Sequence, residues 1–236
     1  MLNKQIPIKQ DLGHPNSLAV NSIFYTIQGE GPFAGTPAVF VRLAGCNLQC
    51  PDCDTEYGLW KVMSVSDILE AIAEVTPETN RVRCPLIVIT GGEPFRQNIR
   101  KLTIALLENL YQVQVETNGT LFADLDYAFA HHSFTIVCSP KGSKVNALLW
   151  PHIKALKYVL NADSQNADDG LPILALGHGT KQVARWPEHW KGEVYIQPVD
   201  VQDENANKRH LKAAVDASLK FGYRLCLQVH KIIGVA

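Results

Sequence analysis

Cys46, Cys50 and Cys53 place three thiols within eight residues, at the spacing Cys-x3-Cys-x2-Cys. Thiolates are soft ligands and select zinc, copper(I) or iron–sulfur clusters over hard cations. The number of thiols discriminates among these. A closed structural zinc site takes four ligands, commonly as two separated pairs. No second Cys pair follows, and His131-His132 lies far off in sequence. Three cysteines on a four-iron cube leave one iron without a protein ligand, open to an external molecule. The spacing therefore favours an iron–sulfur cluster, with zinc as the alternative. Cys84, Cys138 and Cys226 sit singly in or beside apolar runs and read as small buried hydrophobes.

The elements that must position these thiols alternate. An apolar run at 38–43 leads into the cysteine loop, and Leu86-Ile87-Val88-Ile89-Thr90 reads as a strand covered on both faces. Further strands are predicted at 113–116, 134–138, 155–160 and 193–198, with a last one at 224–229. Between them, apolar residues at helical spacing predict helices from the Ser64–Asp67 cap to about Val75, from Asn98 to Tyr111, over about 124–130, and from Asn205 to Phe221. Residues 172–176 fit either strand or helix, and 1–20 show no periodicity. Alternating strands and helices imply an α/β fold with a parallel sheet and helices outside, open or curled into a partial barrel.

Each predicted strand ends in a polar or glycine-rich cluster. These are Gly45 with the cysteines, Thr90-Gly91-Gly92-Glu93-Pro94, Glu116-Thr117-Asn118-Gly119, Ser139-Pro140-Lys141, Gln197-Pro198-Val199-Asp200, and Gln228-Val229-His230-Lys231. Turns favour such residues anyway. In parallel α/β architectures, however, all the carboxyl ends lie on one face, where ligands bind. The six clusters thus describe one polar site above an apolar sheet.

Composition adds bounds. At 236 residues the chain suits one large α/β unit; it is 46% hydrophobic and 19% charged, with a formal net charge of −1. That charge gives no argument for nucleic acid or a membrane surface. The N-terminal residues lack the apolar run of a signal peptide, and no stretch approaches ~18 uninterrupted apolar residues. A cytoplasmic location is expected, where clustered cysteines act as metal ligands rather than disulfides.

The three cysteines followed by Gly91-Gly92-Glu93-Pro94 resemble the radical S-adenosylmethionine enzymes. Finer features resemble the 7-carboxy-7-deazaguanine synthases within that superfamily: Thr26-Ile27-Gln28-Gly29-Glu30-Gly31, Phe40-Val41-Arg42, Cys53-Asp54-Thr55, Ser139-Pro140-Lys141, Gln197-Pro198 and the closing Gln228-Val229-His230-Lys231. The likeness runs from about residue 22 to the C-terminus. It implies a partial barrel of about six parallel strands over residues 22–236, preceded by a lead-in at 1–21. It also implies conversion of 6-carboxy-5,6,7,8-tetrahydropterin to 7-carboxy-7-deazaguanine with loss of ammonia, through hydrogen abstraction by a 5′-deoxyadenosyl radical and a magnesium-assisted ring contraction.

The resemblance assigns roles. Cys46, Cys50 and Cys53 would hold a 4Fe-4S cluster, and Thr55 a magnesium ion through its hydroxyl. Ile27, Gln28, Gly29, Glu30, Arg42, Thr90, His230 and the terminal Ala236 would meet the substrate. Asp52, Cys53, Asp54, Gly92, Glu93, Glu116, Ser139, Pro140, Lys141, Gln197, Pro198, Val199 and Asp200 would meet S-adenosylmethionine. Several have plainer readings: Arg42 as a strand cation, Thr55 as a loop residue, Glu93 as a carboxylate suited to a helix start, and Glu116 as a structural strand end. A flavodoxin- or ferredoxin-type reductant and a homodimer are implied as partners. His14, His131, His132, His152, His178, His189 and His210 lack metal-like spacing. Two alternatives stand beside this reading: an activase that installs a glycyl radical on a partner protein, and a non-catalytic zinc or iron–sulfur module.

Overall fold

The computed structural model describes residues 4–77, 86–177 and 179–235. Cys84, His178 and Ala236 lie outside them. Nine strands form one sheet: β1 (Ser17–Ile27), β2 (Pro37–Leu43), β3 (Lys61–Ser64), β4 (Leu86–Gly91), β5 (Gln112–Thr117), β6 (Phe134–Cys138), β7 (Ile153–Leu160), β8 (Glu193–Pro198) and β9 (Arg224–Leu225). Their order is β3-β1-β2-β4-β5-β6-β7-β8-β9. From β2 to β9 every neighbouring pair is parallel, whereas β1 runs antiparallel to both β2 and β3. The expected six parallel strands are β2 and β4 to β8. The antiparallel edge was not legible, because polar Asn21-Ser22 interrupt β1 and β3 is only four residues long.

Helices cover the outer face. In α1 (Val65–Val75), Ser64 and Asp67 form the reciprocal capping box that the sequence suggests, the Ser64 hydroxyl accepting from Asp67 N–H at 3.1 Å and Asp67 from Ser64 N–H at 2.9 Å. Ile68 and Ile72 point into the core from one stripe. In α2 (Arg100–Glu108), Leu102 and Leu106 do the same. Each fully buried Leu or Ile contributes roughly 1.5–3 kcal/mol. The sheet supplies the opposing layer through Val39, Val41, Leu43, Ile87, Ile89, Val113 and Val115. A short α3 (Tyr127–Ala130) and a long α4 (Glu204–Phe221) complete this side, α4 closing at Gly222 in the left-handed conformation.

Four expected elements are shorter than expected or absent, among them the helix read over about 124–130, which spans only Tyr127–Ala130. The helix read as 98–111 spans only Arg100–Glu108, because Asn98 turns its side chain to Leu12 O and Leu110 adopts a left-handed φ of 62°. Residues 172–176 form neither helix nor strand; Pro172 makes an isolated bridge to Gln165, and Leu176 is left-handed. The last strand, expected over 224–229, pairs only through Arg224–Leu225 before the chain turns into α5 (Val229–Ile233). Val229 N–H bonds to Gly29 O instead of a sheet neighbour, drawing the chain end across the mouth of the sheet.

The lead-in is also more than a tail. Residues Ser17–Val20 already pair with β3. Ile8 N–H bonds to Cys46 O at 2.7 Å, and Gln5 both donates to Thr55 O and accepts from Tyr57 N–H. The segment straps the cysteine loop from behind.

Candidate active site

Side chains alternate across the sheet, so Arg42 of β2, Thr90 of β4, Glu116 of β5, Lys157 of β7 and Gln197 of β8 share the inner face near the carboxyl ends. Register confirms the arc: Arg42 stands opposite Thr90, and Val159, two residues past Lys157, stands opposite Gln197. All five line a basin of two joined lobes, with about 1000 and about 1140 Å³ of space, part of it open to solvent. The first lobe holds Cys46, Cys50, Cys53, Gly92, Asn118, Ser139, Lys141 and Val199; the second holds Phe24, Ile27, Gln28, Phe40, Arg42 and His230. Glu30, Asp54, Thr55, Thr90, Glu116, Lys157, Asp200 and Gln228 border both. All six polar clusters therefore do meet on one face.

The cysteine loop is fixed by close backbone approach. Gly92 N–H bonds to Leu43 O, and Glu93 N–H to Gly45 O. A Cβ on Gly92 would stand 2.0 Å from Gly45 O, so no other residue fits there. Cys46 and Cys50 are buried and Cys53 half-buried, all three as free thiols. Burial pushes Cys46 and Cys50 up to about 11, so thiolates persist there only against a compensating cation. Leu48 N–H and the Asn118 amide point at Cys46 Sγ, donors suited to a ligating sulfur. Among the described residues, no three His, Cys, Asp or Glu side chains converge as ligands of one ion. A four-iron cluster differs from a single ion in binding each thiolate through a separate iron, so its sulfurs stand wider apart. Three free thiols lining one lobe, with sulfur-directed donors behind them, fit that group.

Glu93 does not face the basin. It is fully buried, and its carboxylate accepts from Phe95 N–H (3.0 Å), the Thr117 hydroxyl (2.8 Å) and Asn118 N–H (2.7 Å). Burial raises it to about 7 against those donors. Its place in the structure is a clamp between the ends of β4 and β5. Pro140 likewise lies buried away from both lobes.

The remaining expected residues fall as follows. Gln28 is buried, donating to Glu116 and accepting from Glu30 N–H. Glu116 also accepts from Thr90 and Gln114. Arg42 stacks over Phe24 at 5.5 Å, and its buried Nε has no partner among the described residues. His230 lies on the Gly29 backbone so closely that a Cβ there would be 1.9 Å from Nδ1; burial lowers its pKa. The Thr55 hydroxyl, at the seam, reaches Asp54 Oδ1 at 3.3 Å. Lys141, its pKa lowered by burial, donates to Ser139 Oγ at 2.6 Å.

Sequence reasoning missed Lys157 and Phe24, and it named Asn118, Gln228 and Phe40 only within motifs, with no role of their own. Lys157 is 8% exposed and ion-paired with Glu30. The missed signal was a lysine inside the apolar run 155–160, since a charge there must find a buried partner. Burial alone would raise Glu30, but Lys157, together with hydrogen bonds such as that from Gln228, holds it down at about 2. The same partnership raises Lys157 despite its burial.

A family model described as "4Fe-4S single cluster domain" matches residues 27–135. The 7-carboxy-7-deazaguanine synthase of Rhodospirillum rubrum is 41% identical over 233 residues, covering 96% of each chain. That of Rickettsia prowazekii is 37% identical over 229 residues, covering 94% of this chain and 91% of its own. Among solved structures, one titled "Crystal structure of QueE from Escherichia coli" superposes with a TM-score of 0.65 over 89% of this chain and 93% of that one, at 24% identity; it shares the fold. With near-complete coverage at 41% identity, and three thiols gathered at one end of a strand-end basin, the chain belongs to the 7-carboxy-7-deazaguanine synthase family.

Proposed function

We propose that this protein is a carbon–nitrogen lyase that converts 6-carboxy-5,6,7,8-tetrahydropterin to 7-carboxy-7-deazaguanine, with loss of ammonia. The observation that carries the reading is the two-lobed basin, with thiols lining one lobe and stacked aromatic and polar groups lining the other. Cys46, Cys50 and Cys53 would hold a reduced 4Fe-4S cluster, which with S-adenosylmethionine would supply radical hydrogen-atom abstraction.

The chain's own part is to bind and aim. Asp52, Asp54, Glu116, Ser139, Lys141 and the 197–200 segment border the thiol lobe and would hold S-adenosylmethionine beside Gly92. In the other lobe, Phe24 and Phe40 stack with centroids 5.4 Å apart and wall the space a flat pterin would fill. The partnerless Arg42 Nε suits a substrate carboxylate, since a buried donor left unmade costs about 1–3 kcal/mol. Ile27, Gly29, Glu30, Thr90 and His230 would surround the ring, joined by the C-terminal Ala236. In this reading the Thr55 hydroxyl would hold magnesium, a hard cation that takes oxygen ligands, with substrate and water supplying the others.

Residues 22–236 would form the catalytic unit, strapped by 1–21. A flavodoxin- or ferredoxin-type reductant, a homodimer and a cytoplasmic location complete the proposal; among the described residues, no helix is long and apolar enough to cross a membrane. Family membership argues against the glycyl-radical activase and the zinc module. The test is anaerobic incubation of reconstituted, reduced protein with carboxytetrahydropterin and S-adenosylmethionine, with the product identified by mass. Deoxyadenosine without any deazaguanine would overturn the substrate assignment.

A further inference from the structure

We infer that Lys157 is a positioning residue for the second lobe: it holds the Glu30 carboxylate at the seam, and Glu30, through Gln228, holds the C-terminal segment over the substrate. The inference rests on the proposal that this lobe takes the pterin.

Ala155, Lys157 and Val159 alternate onto the inner face of β7, while Leu156, Tyr158 and Leu160 face the core. The Lys157 ammonium meets Glu30 Oε2. Glu30 Oε1 accepts from Gln197 Nε2 at 3.1 Å and from Gln228 Nε2 at 2.9 Å. The Gln197 amide is itself oriented, because the buried Cys226 thiol donates to its Oε1 and accepts from Gly31 N–H. One carboxylate thus gathers β7, β8 and the start of the C-terminal segment.

From Gln228 onward the segment is held by three further contacts. Val229 N–H bonds to Gly29 O, His230 lies on Gly29, and Lys231 reaches Asp54 (3.7 Å) and Asp200 (3.2 Å). The Lys231 pairs are exposed, and such pairs stabilise little. Burial makes the Glu30 centre the stronger attachment. Without Lys157, Glu30 becomes a buried carboxylate met only by two amides; it then protonates or swings toward water, and Gln228 loses its acceptor.

The test uses the full-length reconstituted protein and its Lys157→Met variant. Hydrogen exchange at the Val229 amide should quicken about tenfold or more, and KM for carboxytetrahydropterin should rise about tenfold with kcat changed far less. Lys157→Arg should recover part of the loss. A protected Val229 amide with unchanged KM would overturn the inference. If Lys157→Met fails to fold, Lys157→Gln keeps one N–H for Glu30 while removing the charge, and Gln228→Ala leaves the ion pair intact; both are read by the same two measurements. If the wild-type protein binds no pterin, the substrate proposal fails, and Val229 exchange in the ligand-free protein alone decides the role of Lys157.

Discussion

Cys50→Ala takes away one of three thiolates and should leave anaerobically reconstituted protein with little bound iron and no deoxyadenosine production. Thr55→Ala leaves every thiol in place, so iron content should match wild type while magnesium-dependent turnover slows. Iron analysis and deoxyadenosine assays separate the two, and full iron loading of Cys50→Ala would sink the cluster assignment. Glu93 poses a different question, because three donors and no acceptor surround it in the described structure. An amide at this position sets an N–H against one of those donors. Glu93→Gln should therefore cost about 1–3 kcal/mol in urea denaturation near pH 8. Unchanged stability there would mean that the native group carries a proton. Beside Pro94, Glu93 reads in sequence as a helix-start carboxylate or as a ligand contact; it does cap the short 3-10 turn Pro94–Arg96 through Phe95 N–H, and only its burial shows that it also clamps β4 to β5.

At the level of elements, the meeting of β4 with the cysteine loop decides whether the thiols converge. Two backbone hydrogen bonds and the contact of Gly92 with Gly45 O make that junction. Gly92→Ala should push the junction apart. Circular dichroism should stay near wild type, because the helices pack elsewhere, while reconstituted iron per chain falls by more than half, a loss on the order expected when a ligand shell is displaced. Normal iron loading would show that the loop finds its position without the glycine. The lead-in acts on the same loop from the other side through Ile8 and Gln5. No periodicity advertises that role, because isolated backbone hydrogen bonds to a loop leave no repeating apolar pattern.

Over the whole molecule, the buried Glu30–Lys157 pair ties the turn after β1 to β7, a separation of 127 residues. Glu30 is held at about 2 when folded, below its ordinary 4.5. A lowered carboxylate contributes stability above its unfolded pKa and loses it as pH falls through the folded one. The contribution should thus be complete above about pH 4.5 and fade toward pH 2, with a total on the order of 3 kcal/mol. Denaturation at pH 6, 4 and 2.5 should show a shallower acid loss for Glu30→Gln/Lys157→Met than for wild type. Parallel slopes would show that the pair contributes no net coupling.

Taken alone, the sequence determined the thiol loop, the parallel α/β alternation and the six polar strand ends, because continuous apolar runs, helical spacing and short-range cysteine spacing are local properties. Arg42, Thr55, Glu116 and His230 became candidates only through the family resemblance, since each has a plainer reading as a strand cation, loop residue, strand end or surface group. Only the tertiary structure decided which inner-face residues share the basin, that Lys157 pairs with Glu30, that Glu93 turns away, and that the expected last strand leaves the sheet after Leu225 to cover Gly29. Each of these depends on groups far apart in the chain meeting at low dielectric, where a charge or backbone donor takes the partner that burial allows, and no local pattern encodes that choice.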